Sequence, residues 1–182
     1  HRSEILGLAG LLGSGRSETL KALFGDPSYT VTGSIELEGQ VLNLGSPLNA
    51  LGHLIALVPE DRKRESIFPK RSLSENFAQT RLALRPLFSM IHNDEEDRLS
   101  TDSIKALRVK TTSHERTICT LSGGNQQKVI LGRVLQIHPK IILLDEPTRG
   151  IDVGAKSEIF EIMNRLAEQG YGVVFVSSEL KE

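Results

Sequence analysis

Tryptophan is missing from this chain, and only two tyrosines and six phenylalanines stand among its 182 residues. That excludes the row of rings on which single-stranded nucleic acids stack. Neither charge is in excess. With 22 basic and 23 acidic residues the formal net charge is −1, so there is no basic footprint for a nucleic-acid partner. Cysteine occurs once, at Cys119, which rules out an internal disulfide and fits a reducing compartment. No run of eighteen or more apolar residues offers a membrane span, and no signal peptide opens the chain. Internal repeats and low-complexity segments are missing as well. What remains is enough length for one domain with a real core, or one domain carrying an inserted subdomain.

Apolar runs alternate with helical periodicity along the chain. "EILGLAG" (4–10) is short, apolar and bounded by glycine, which predicts a strand buried on both faces. A glycine-rich turn follows, then "SETLKALF" with helical spacing, stopped by Gly25. "GSIELEGQVLNL" alternates around Glu38-Gly39 as a hairpin would, and Ser46-Pro47 opens a short helix. "LIALV" is a strand ending at Pro59-Glu60, before the charged loop "DRKRE". The next sixty residues lack a strong strand signal. They contain a helix opened by the capping box Ser72-x-x-Glu75 and another from Asn93 to about Arg108. Ser122 then caps a helix that ends before His138-Pro139, "KIILLDEP" is a strongly apolar strand, and "VGAKSEIFEIMNRLAEQG" is an amphipathic helix closed by Gly170. "GVVFVSS" is the last strand. Strand–helix alternation with apolar strands predicts a parallel sheet covered on both faces. The chain begins almost inside a strand and stops just after one, so a fragment truncated at both ends is expected.

Three motifs carry chemistry. Gly10-Leu-Leu-Gly13-Ser-Gly15-Arg16-Ser17 has the outline of a phosphate loop between a strand and a helix. Its glycines let successive N–H groups turn inward at the positive end of a helix, and the Ser17 hydroxyl is placed to ligate Mg²⁺. Arg16 sits where such loops carry lysine, and its wider fork does not suit the same path. Three readings stay open on the loop alone: a working site, a site that binds without turnover, or a tight glycine turn. Asp145 and Glu146 end a buried strand, where α/β sheets place their ligands. The pair suits a division of labour in which Asp145 holds the magnesium shell and Glu146 polarises a water, against the plainer reading of a strand leaving into a polar loop. "LSGGNQQK" is a second anion site at a helix start, through the Ser122 hydroxyl and the free N–H groups at Gly123 and Gly124. Two such helix starts point to a nucleotide clamped between protomers.

The order GLLGSGRS, PEDRK, LSGGNQQK, LLDEPTRGIDVGAK resembles the ATP-binding subunit of an ABC transporter over essentially the whole chain. More narrowly, VPEDRKRE, LSGGNQQK and DEPTRGIDVGAK resemble the C-terminal nucleotide-binding half of bacterial monosaccharide importers of the ribose, galactose and xylose type. The resemblance implies a P-loop NTPase (RecA-like) core at 1–60 and 139–182, with an inserted ABC helical subdomain at 61–138. It implies ATP and Mg²⁺ as ligands, and a location at the cytoplasmic face of the bacterial plasma membrane. It also implies three kinds of partner: a second nucleotide-binding half paired head to tail, transmembrane permease subunits, and indirectly a sugar-binding protein outside the membrane.

Carried over residue by residue, Gly10, Gly13, Gly15 and Ser17 match the phosphate loop, and Ser14 and Glu18 count among the nucleotide contacts. Ser122, Gly123 and Gly124 match the signature, with Asn125 in place of the usual glutamine. Asp145 and Glu146 match the metal-binding and catalytic acids, and Asp152 falls in the loop that crosses to the partner half. Arg16, Glu60 and Ser178 replace the lysine, glutamine and histidine that contact the γ-phosphate, and the Glu60 carboxylate is expected to add negative charge there. The implied reading is a half that binds nucleotide and hydrolyses it poorly, while its signature serves the other half. A non-hydrolysing regulatory module and a soluble ABC-type ATPase are the alternatives. His53, His92, His114 and His138 lack metal-ligand spacing, and Cys119 reads as a small packing residue.

Overall fold

A computed structural model describes residues 1–11, 13–86, 89–90 and 92–179. Leu12 of the phosphate loop lies outside the described residues. Among the described residues six strands form, β1 (Ile5–Ala9), β2 (Ile35–Leu37), β3 (Gln40–Leu42), β4 (Ile55–Val58), β5 (Ile141–Asp145) and β6 (Gly172–Ser177). The helices are α1 (Arg16–Leu23), α2 (Pro47–Gly52), α3 (Leu73–Ala83), α4 (Asn93–Ala106), α5 (Gly123–Leu135) and α6 (Val153–Glu168). Four of the strands make a parallel sheet in the order β1-β6-β5-β4, and β2 and β3 pair as a separate antiparallel hairpin.

Side chains alternate across this sheet, as a two-period strand requires. Ala56, Val58, Ile142, Leu144 and Val173 join Val129, Ile130, Ile159 and Met163 from α5 and α6 on one face. Ile55, Leu143 and Val176 join Leu20 of α1 and Ala50 of α2 on the other. The result is three layers, helix–sheet–helix. β1 corrects the expectation of a strand buried on both faces. It is an edge strand bonded only to β6 among the described residues, and its Leu6 is exposed.

Local chemistry fixes the element ends. In α3 the capping box is complete: Ser72 Oγ accepts from the Glu75 N–H at 3.1 Å, and Glu75 Oε2 accepts from the Ser72 N–H at 2.8 Å. Ser46 Oγ accepts from the Asn49 N–H at 3.2 Å ahead of Pro47, the first residue of α2. Glu38 and Gly39 both take positive φ, 53° and 78°, which is the turn that suits the twist of a two-residue hairpin. Register then aligns the strand ends. Ala9 lies level with Ser177 and Asp145 level with Val176, so the residues that follow β1, β5 and β6 emerge along one edge of the sheet.

Candidate functional site

Between β1 and α1 the loop closes on itself. Gly13 and Gly15 hold φ of +82° and +85°, a left-handed conformation that favours glycine. A side chain at Gly10 would sit 2.9 Å from Ser14 Oγ, which would have to turn away. α1 starts at Arg16, directly after Gly15, which leaves its first-turn amides without intrahelical acceptors. A cavity of about 250 Å³ is lined by Gly13, Ser14, Gly15, Arg16, Ser17 and Glu18, and on its far side by Lys21, Tyr29, Glu60 and Glu146. Eight of the predicted residues therefore share one concave space.

Ser17 Oγ donates to Asp145 Oδ1 at 2.7 Å, joining the start of α1 to the end of β5. Asp145 is 1% exposed and its Oδ2 is buried without a partner. Burial pushes the Asp145 carboxyl up. The Ser17 hydrogen bond and Lys21 pull the other way, and Glu146 adds to the rise. A buried carboxylate oxygen with nothing to bond, beside a serine hydroxyl, fits the outer coordination of a hard cation. No cluster of three acidic, histidine or cysteine ligands occurs among the described residues. The donor set suits magnesium held together with substrate phosphates.

Glu146 follows immediately, with φ of +46°, a strained position for a side-chain-bearing residue. The strain is held by its N–H donating to the Val176 carbonyl at 3.1 Å and by its own carbonyl, which accepts from the Arg149 N–H at 3.1 Å. Arg16 turns back across the site. Its guanidinium donates to the Ser177 carbonyl and, at 3.1 Å, to the Leu11 carbonyl, and stands 3.8 Å from Glu146 Oε1. The fork bonds protein partners at the mouth of the loop.

Glu60 behaves differently from expectation. Its carboxylate is ion-paired with Arg149, so the added negative charge is locally compensated by a cation 89 positions along the chain. Ser178 follows β6 and is exposed, and it does not line the cavity. Ser122 is a second correction. Its hydroxyl caps no backbone N–H of α5 but accepts from Asn125 Nδ2 at 2.9 Å, while Asn125 Oδ1 accepts from the Lys110 N–H at 2.8 Å. Ser122, Gly123, Gly124 and Asn125 all lie outside the cavity of the phosphate loop. Asp152 caps α6, its Oδ1 accepting from the Ala155 N–H at 3.0 Å. Cys119 is exposed and is not a packing residue.

Two lining residues escaped the sequence reading. Lys21 stands one helical turn beyond Ser17 on the same face, a spacing that was available as a signal. Its ammonium lies 3.3 Å from Glu65 Oε1. Burial, the largest influence, works to lower it, but Glu65, Tyr29 and Asp145 together hold it above the ordinary lysine value. Tyr29 had no signal, since it reaches the cavity from the loop between α1 and the hairpin.

Known proteins match this arrangement. Residues 1–149 match the family described as ABC transporter. The chain is 46% identical over 181 residues to the ribose import ATP-binding protein RbsA of Bacillus cereus, covering all of this chain and 36% of that protein. It is 50% identical over 181 residues to the arabinose import ATP-binding protein AraG of Mannheimia succiniciproducens, covering 98% of this chain and 36% of that one. It thus spans little more than a third of the length of these relatives. Among solved structures, its fold is similar to a dimeric, post-hydrolysis ATP-binding cassette bound to ADP and Pi, with a TM-score of 0.80 at 22% identity over all of this chain and 77% of that one. A parallel sheet with a phosphate-loop turn at its carboxyl edge, and a family match over most of its length, agree: this chain belongs to the ABC transporter family and has the P-loop NTPase fold.

Proposed function

We propose that this chain is one ATP-binding half of the ATPase that drives an ABC-type sugar importer, and that it binds Mg-ATP but hydrolyses it poorly. The working division is a core at 1–60 and 139–182 with a helical subdomain at 61–138. In this reading Gly10, Gly13, Ser14, Gly15 and Glu18 cradle the phosphates, and Ser17 and Asp145 would hold magnesium, which neutralises phosphate charge when bound. Glu146 is the candidate base for an attacking water. The observation that carries the reading is the placement of Arg16. Phosphoryl transfer is catalysed by positioning and electrostatic stabilisation, and one lost contact of that kind often costs about a hundredfold. Here the cation of the loop is committed to two backbone carbonyls and to Glu146, and the positions of two other γ-phosphate contacts hold Glu60 and Ser178.

Ser122, Gly123, Gly124 and Asn125 lie away from this half's own loop, which supports their serving the site of a second half paired head to tail. Asp152 stands at the α6 start, beside that surface. No helix among the described residues is long and apolar enough to cross a membrane, so the proposed place is peripheral. It would be the cytoplasmic face of the plasma membrane, against permease subunits fed by a sugar-binding protein.

The test is single-turnover chemistry in a full-length two-half ATPase, with bound nucleotide assigned to each half. The expected result is ATP retained at this half while ADP forms at the other. Equal ADP formation at both would sink the poor-hydrolase reading. No nucleotide at this half, in wild type or in Arg16→Lys, would sink binding altogether.

A further inference from the structure

Beyond β4, after Pro59-Glu60-Asp61, the chain forms a five-residue π turn, Arg62–Ser66, and Asp61 Oδ1 accepts from the Lys63 and Arg64 N–H groups, both at 3.1 Å. π turns are rare and recur at functional sites. This one is fastened to α5 at both ends. Arg133, in the last turn of α5, donates to the Ser66 carbonyl, and Arg62 packs on Gly123 at the first turn. A side chain added at Gly123 would lie 2.7 Å from Arg62 Nη2. One added at Gly124 would lie 2.4 Å from Ala155 Cβ and 3.4 Å from Ile151 Cγ2. The two signature glycines therefore let the start of α5 press on Arg62 on one side and on the start of α6 on the other.

The same guanidinium holds the loop that follows the candidate base. Arg62 Nη1 donates to the Arg149 carbonyl at 3.1 Å and Nη2 to the Gly150 carbonyl at 3.2 Å. The Arg149 side chain in turn pairs with Glu60, two residues before Arg62. Segment 146–150 is thus gripped from segment 60–62 through both backbone and side chain. Arg62 is the element shared by the cavity wall at Glu60, the loop after Glu146 and the first turn of the signature helix.

We propose that Arg62 is a positioning residue. It sets the signature start, Ser122–Gly124, at a fixed place relative to the Glu146–Gly150 turn, so that the signature is presented to the opposite half in register with this half's own site. The inference rests on the reading of this chain as one half of a paired ATPase. The fork is essential to it, because two divergent carbonyls 3.1 and 3.2 Å from separate nitrogens match a guanidinium and not a single ammonium.

The test uses the full-length two-half ATPase reconstituted with its permease, comparing wild type, Arg62→Lys and Arg62→Ala. Hydrolysis at the opposite site is expected to lose kcat by roughly ten- to a hundredfold in Arg62→Ala, as small misplacements do. KM for ATP should stay within about twofold, with Arg62→Lys falling between the two because charge alone is a partial substitute. Amides 147–152 and 122–126 should exchange faster in both variants, with the interior of α6 unchanged. Unchanged kcat in a folded Arg62→Ala protein overturns the proposal. So does a loss explained wholly by a smaller folded fraction, with kcat per folded molecule and amide exchange at wild-type values. Nucleotide occupancy of this half, measured in the same samples, reports separately on the binding reading, since the opposite site's kcat responds to Arg62 whether or not this half is occupied.

Discussion

The guanidinium of Arg16 and the carboxylate of Glu146 face each other at 3.8 Å across the mouth of the phosphate loop, both side chains nearly out of solvent. The pair joins the first residue of α1 to the residue after β5, with the Ser177 carbonyl at the end of β6 as a third anchor. The Arg16 cation is thus a structural tie among α1, β5 and β6.

Removing it should therefore destabilise the fold. Arg16→Ala leaves Glu146 buried without a counter-charge and two carbonyls without their donor, which predicts a loss of about 3 kcal/mol. Arg16→Lys keeps the charge and should lose about 1 kcal/mol. Urea titrations of the three proteins measure both. Equal stability of Arg16→Ala and wild type would show that the pair contributes nothing.

Ser17→Ala is expected to act through the cation. It deletes the hydroxyl bonded to Asp145 at 2.7 Å and one proposed metal ligand. Mg-ATP binding should weaken about tenfold, about 1.4 kcal/mol, while ATP binding in chelator stays within about twofold. Calorimetric titrations with and without Mg²⁺ separate the two. An equal loss in both conditions would place Ser17 on the phosphates instead.

Lys128 is 2% exposed and reaches Glu158 Oε2 at 2.5 Å and the Arg108 carbonyl at 3.0 Å, fastening α5 to α6. The Lys128 hydrogen bond, opposed by desolvation and helped by the charge of Lys128 and by the hydrogen bond and charge of Lys110, holds the Glu158 carboxyl below its ordinary value of 4.5. A depressed carboxyl contributes its stability in full above that ordinary value and loses it as the pH falls through the folded value. Glu158→Gln should lower stability at pH 7 by about 1 kcal/mol, a figure reduced for the solvent around Glu158. The difference from wild type should shrink below pH 4.5, so thermal unfolding from pH 7 to pH 3 is the measurement. A gap that stays constant across that range would mean the pair does not titrate as described.

Gly132→Ala should destabilise in spite of alanine's helix propensity. The added methyl would meet Phe77 Cε1 at 2.5 Å and Leu107 Cδ1 at 2.7 Å, where α5 packs on α3 and the end of α4. Overpacking of this kind costs about 1–3 kcal/mol, more than the about 1 kcal/mol gained from propensity. A raised melting temperature would contradict the close approach.

Much of the fold was legible because its signals are local. The capping box at Ser72 and Glu75, the Glu38-Gly39 turn and the Ser46-Pro47 start are each written within four residues. Strand–helix alternation with apolar strands implied the parallel sheet. β1 misled, because an apolar run between glycines looks alike at the centre and at the edge of a sheet, and position in the sheet is a tertiary fact. In the site, the phosphate loop and the Asp145-Glu146 pair were readable from spacing. The compensation of Glu60 by Arg149 was not, since nothing in "VPEDRKRE" indicates which distant loop it touches. Ser122 misled for a related reason: a serine before a helix predicts a cap, but Asn125, tied to the Lys110 amide, takes its hydroxyl first. Nor does "EDRKRE" indicate that Arg62 bonds the carbonyls of Arg149 and Gly150, which lie far along the chain.

β1 pairs only with β6 among the described residues, and Arg16 bonds to the carbonyl of Ser177 at the end of that same strand. The phosphate loop is encoded near residue 10, yet its final shape depends on a strand more than 160 residues later. On a ribosome the loop would emerge more than 160 residues ahead of the end of β6 and remain without that neighbour until β6 follows it out of the exit tunnel. A chain terminated before β6 would carry the whole glycine-rich motif without the strand that anchors Arg16.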